Sequence, residues 1–197
     1  MAGCSADPVE LPEELLDAAR TCFAAESLNQ RSDAEMGADV TLAQFNAAMA
    51  YPMKATSMTQ PFDIEATGTI MDGAGEEIER VRALDWEDAL PQCRARFGMN
   101  NPVELPQDDA DAALSCYIMS MFYAESLRGQ NAEMDQAAAR YDALKNRLEP
   151  RAMTSPAIIA ASEAEAEQLS QKAAQRALST SDPVQFLSLC EARFPAD

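Results

Sequence analysis

The sequence says almost the same thing twice. Pro8-Val9-Glu10-Leu11-Pro12 recurs letter for letter as Pro102-Val103-Glu104-Leu105-Pro106, 94 residues later. Cys22-Phe23 is matched at that offset by Cys116-Tyr117, and Cys93-Arg94-Ala95-Arg96-Phe97 by Cys190-Glu191-Ala192-Arg193-Phe194 at an offset of 97. Between these anchors, Ala25-Glu26-Ser27-Leu28, Ala34-Glu35-Met36 and Met58-Thr59-Gln60-Pro61 reappear in the same order as Ala124-Glu125-Ser126-Leu127, Ala132-Glu133-Met134 and Met153-Thr154-Ser155-Pro156. Such order with small drift is the signature of a tandem duplication. The expected organisation is a flexible N-terminal tail (1–8), a first helical repeat (9–98) and a second (102–197), with the two repeats either separate or packed as one compact body. The joint falls at the turn-rich Gly98-Met99-Asn100-Asn101.

Each repeat reads as all-α, with about four helices. Leu15, Ala18, Cys22 and Ala25 recur at three- and four-residue steps after Pro12, and Ala113, Cys116 and Met121 follow Pro106. Asp108, Asp109 and Asp111 complement the positive end of the helix they begin. Second helices are expected near Leu42–Met53 and Met134–Leu148. A third should fill 157–178, where alanine, glutamate, glutamine and leucine dominate. Its counterpart in the first repeat should be broken or delayed by Gly68, Gly73 and Gly75, and Phe62 to Ile70 is the one candidate for non-helical structure. Fourth helices should open at Asp85 and Asp182, both good N-caps.

The duplication selects among the 15 ways in which five cysteines can form two bridges. Cys22 and Cys93 hold the places of Cys116 and Cys190, so the expected pairs are Cys22–Cys93 and Cys116–Cys190, each tying a first helix to a fourth. Free thiols in a reducing cytoplasm are the alternative. Cys4 has no counterpart. Ala2-Gly3-Cys4 resembles the end of the lipobox of bacterial lipoproteins, although no basic and apolar leader region stands before it. The resemblance implies acylation at Cys4, hence a lipid anchor as the only membrane attachment; an ordinary N-terminal cysteine is the other reading. Bridges and lipobox both point to the periplasm or cell envelope of a bacterium.

Composition narrows the function more than it defines it. The chain has no histidine, so Ser/His/Asp triads, Cys–His pairs and His-ligated zinc are excluded. A net charge of -18 repels nucleic acid. No cofactor, metal site or catalytic residue is expected. Glu163 and Glu167 share a helix face but read as a solvated acidic surface. Asp72-Gly73-Ala74-Gly75-Glu76-Glu77 lacks EF-hand spacing and reads as a helix-initiating turn. Met119 and Met121, two apart, do not face one another as copper(I) ligands would. Arg94, Arg96 and Arg193 read as dipole-compensating residues beside the late cysteines, and Trp86, the sole tryptophan, as a buried residue or an interaction hot spot. The expected function is therefore a non-enzymatic acidic envelope protein that binds another macromolecule, a basic one by charge. A small-ligand or metal-ion protein using a cleft between the repeats is the alternative.

Overall fold

The computed structural model describes residues 7–35 and 38–196; Cys4 lies outside them. The chain is all-helical, with two disulfides, and divides between Asn101 and Pro102 into two compact units. Each unit holds five helices among the described residues, one more than expected.

The first unit is built round α1 (Leu15–Gln30). Ala18, Ala19, Cys22, Ala24 and Ala25 on it are completely buried. Small side chains on so many sides let four other helices approach one axis. These are α2 (Leu42–Met58), α3 (Ala66–Met71), α4 (Ala74–Arg82) and α5 (Ala89–Phe97), all of which contact α1. Tyr51, Ile70, Val81, Leu90 and Phe97 close the core around it. Gly73, at φ 80°, supplies the left-handed turn between α3 and α4. Gly68 and Gly75, expected to break the chain, sit inside those two helices.

The second unit has the same kind of centre. On α6 (Asp109–Leu127), residues 112–116 and 118–120 are buried, together with Tyr123, Ala124 and Leu127. It packs against α7 (Ala132–Met153), α9 (Glu163–Leu178) and α10 (Pro183–Arg193), while the short α8 (Pro156–Ala160) bridges α7 and α9. Met119 is part of this core and Met121 is 47% exposed, so the two point apart.

Three sequence expectations are corrected. The helix predicted over 157–178 breaks at Ala161-Ser162, because Ser162 and Glu165 form a reciprocal capping box that starts a new helix. The last helix of the first unit does not open at Asp85. The Asp85 N–H donates to the Asp7 carbonyl at 2.9 Å in an isolated bridge, and the helix begins only after Asp88. That same bridge pins Asp7 and Pro8, so the expected flexible tail does not extend through residue 8. In the second unit Asp182 does cap α10, accepting from the Gln185 N–H at 2.9 Å.

Cys22 is bonded to Cys93 and Cys116 to Cys190, with Cα atoms 5.5 and 5.7 Å apart. Each bridge joins the central helix of a unit to its last one. A second tie lies beside each. Arg96 donates to the Pro12 and Glu13 carbonyls, both at 2.5 Å, and Arg193 to those of Pro106 and Gln107 at 2.5 and 2.6 Å. Besides lying in the last turns of their own helices, these arginines hold the chain entering the central helix.

Candidate functional site

Four of the five cysteines are consumed by the bridges and fully buried, which removes them as nucleophiles or metal ligands. Glu163 and Glu167 are exposed, and Glu167 accepts from Gln171. Among the described residues no cluster of three or more Asp, Glu or Cys side chains is placed to hold a metal ion. No described helix is long and apolar enough to cross a membrane.

The cations of this acidic chain are largely engaged internally. Arg80 pairs with Glu77, Arg82 with Glu79, Arg140 with Glu191, and Arg128 with both Glu125 and Asp142. Carboxylates outnumber them, and the surplus defines the surface.

Part of that surplus lies at a groove of the first unit, of about 570 Å³, between the start of α1 and the segment 59–66. Its apolar lining comes from Leu15, Leu16, Met58 and Pro61, and its acidic groups are Glu14, Asp17 and Asp63. The far wall is held by local chemistry. Thr59 Oγ1 donates to the Thr56 carbonyl at 2.8 Å and accepts from the Asp63 N–H at 2.9 Å, while Asp63 Oδ1 accepts from the Glu65 N–H at 3.0 Å. The Gln60–Pro61 peptide bond is cis. Arg20, the one cation in the groove, is already occupied. It pairs with Asp17 at 3.0 Å and donates to the Ile70 and Thr69 carbonyls at 3.1 and 2.8 Å, capping the end of α3.

Neither Glu14 nor Asp63 forms an ion pair within 4 Å among the described residues. At the start of α6, Asp109 pairs with Arg193 at 2.5 Å and Asp111 with Arg176 at 3.0 Å, while the carboxylate of the N-cap Asp108 accepts only from the Ala110 and Asp111 N–H groups among the described residues. The groove is therefore an apolar trough with two carboxylates, Glu14 and Asp63, left over once Arg20 has paired with Asp17, and Met58 and Ile64 beside it stay 44% and 41% exposed. Sequence reading missed it, since Met58-Thr59-Gln60-Pro61 was legible only as a repeat anchor. The adjoining exposed apolar residues were the available signal.

The fold is that of an acidic, all-helical protein with two buried disulfides. Compared with known proteins, the chain matches no family model, no curated protein and no solved structure.

Proposed function

We propose that this protein is a non-enzymatic component of an oxidising compartment, the bacterial cell envelope, that binds a basic macromolecule through the acidic groove of its first unit. The observation carrying the reading is the state of the trough itself: Glu14 and Asp63 stand at its rim with no ion pair among the described residues, and its one cation, Arg20, is held by Asp17 and by the carbonyls at the end of α3. An amphipathic segment with lysines or arginines fits such a trough, its apolar side chains covering Leu15, Leu16 and Met58. Two buried bridges closing spans of 71 and 74 residues support the oxidising location. We also read the two units as copies of one ancestral module. The equivalent bridges support this, as do Arg96 and Arg193 holding the same backbone entry.

The test is capture from envelope extract on the immobilised protein at low and moderate salt, followed by competition with Glu14→Lys and Asp63→Lys variants. The expected result is a basic protein whose retention falls with salt and is lost with either charge reversal. A partner held equally by the wild type and both variants would overturn the groove assignment.

A further inference from the structure

We propose that a second groove of the first unit, walled by Trp86, is a binding site for a small aromatic carboxylate. This site is independent of the acidic groove and takes a ligand of opposite charge. It encloses about 500 Å³, within the range of small-molecule sites, and its apolar surface comes from Leu28 and Ile78 with the indole of Trp86. Arg31 and Arg82 also line it. Two guanidinium groups at one apolar hollow stand out on a chain of net charge -18.

Both arginines retain donors. Arg31 uses Nη2 on the Ala38 carbonyl at 2.9 Å, and Arg82 uses Nη1 on the two oxygens of Glu79 at 2.8 and 2.9 Å. No hydrogen bond among the described residues takes the other two nitrogens of either group. Guanidinium offers planar, charge-assisted donation to a carboxylate, and indole offers a face for an aromatic ring. Glu35 lines the groove and Glu79 already pairs with Arg82, so the anion is selected by the free donors of the two guanidinium groups and not by an excess of positive charge. The combination is particular to this unit. Pro183 and Ser179 stand as far before Cys190 as Trp86 and Arg82 stand before Cys93.

A sole tryptophan gives one indole N–H cross-peak, which reports on this groove alone. The full chain is titrated with 2-naphthoate and with its neutral isostere 2-naphthamide, by that cross-peak and by calorimetry. Saturable movement of the peak is expected with the acid, and binding about ten-fold weaker with the amide, the loss expected when a charged hydrogen-bonding partner becomes neutral. Arg31→Gln and Arg82→Gln should each weaken the acid by a similar factor and leave the amide unchanged. Equal affinity for acid and amide, no movement with either, or indifference to both substitutions would overturn the proposal. The acid–amide comparison uses the unmodified protein and does not depend on how the variants fold.

Discussion

The Glu26 carboxylate lies 3.6 Å from the Arg94 guanidinium, one helical turn past Cys22 on α1 and one residue past Cys93 on α5. Glu26 is 4% exposed, and it accepts from Asn29 at 2.9 Å, Gln30 at 2.7 Å and the Tyr51 hydroxyl at 3.4 Å. Arg94 is 45% exposed on its side chain, so water and salt screen its half of the pair. Arg94→Gln should therefore cost no more than about 1 kcal/mol. Glu26→Leu should cost about 2 kcal/mol or more, because it leaves the buried Tyr51 hydroxyl without its acceptor. Urea denaturation of the two variants measures the difference, and equal losses would show that the ion pair dominates after all.

The disulfides make a separate prediction. Closing a loop of some seventy residues restricts the unfolded chain by about 4 kcal/mol in the chain-entropy model. The first unit, whose central helix buries mostly alanine, gains little area per residue there, so its bridge matters. Ellman titration in denaturant without reductant should find no more than one thiol. Removing one bridge by a Cys22→Ala, Cys93→Ala double substitution should lower the midpoint of the first unit and leave Cys116–Cys190 intact by mass. Four thiols in the untreated protein would refute both pairings.

Alkaline stability follows from three tyrosines. Burial pushes Tyr51, Tyr123 and Tyr141 above the ordinary phenol value of 10, with the Glu26 charge adding to the rise at Tyr51. A raised pKa in the folded state means that the neutral phenol is favoured there. The associated stability is whole below pH 10 and is lost as pH rises further, since the unfolded chain releases its protons first. Phenolate absorbance at about 295 nm from these rings should rise together with loss of near-ultraviolet dichroism. Ionisation of all three well before unfolding would contradict their burial.

How far the sequence reveals this structure depends on whether a local signal meets a tertiary competitor. The central helices and the cysteine pairing are legible because apolar spacing and repetition are both recorded along the chain. The break at Ser162 was also written there, as Ser-x-x-Glu, but a run of strong helix formers masked it. Asp85 has the right chemistry for a cap, yet its backbone N–H is taken by Asp7, 78 positions away, and no local pattern could disclose that. The same holds for the acidic groove. Its sign depends on which carboxylates the arginines reach, and Arg20 is drawn to the Thr69 and Ile70 carbonyls only through the fold.

Thr21 and Ser115 each stand one residue before the bridged cysteine of their central helix, and both are completely buried. The Thr21 hydroxyl donates to Glu77 Oε1 at 2.5 Å, whereas Ser115 Oγ has no hydrogen-bond partner among the described residues. Substitution should consequently act with opposite sign at the two places. Ser115→Ala removes an unsatisfied buried hydroxyl and should leave stability unchanged or raise it by up to about 1 kcal/mol. Thr21→Val keeps the volume, removes a donor to a carboxylate, and should cost about 1–2 kcal/mol. The Glu77 carboxyl is held below its ordinary value of 4.5, chiefly by its hydrogen bond with Arg80 and further by Thr21, against the opposing effect of burial. Its stabilising contribution is present above that value and is lost as pH falls through the lowered folded value. The penalty of Thr21→Val should thus be largest near neutrality and shrink in acid. A penalty independent of pH from neutrality to about pH 3, read from urea midpoints, would mean that Thr21 acts by packing and not through Glu77.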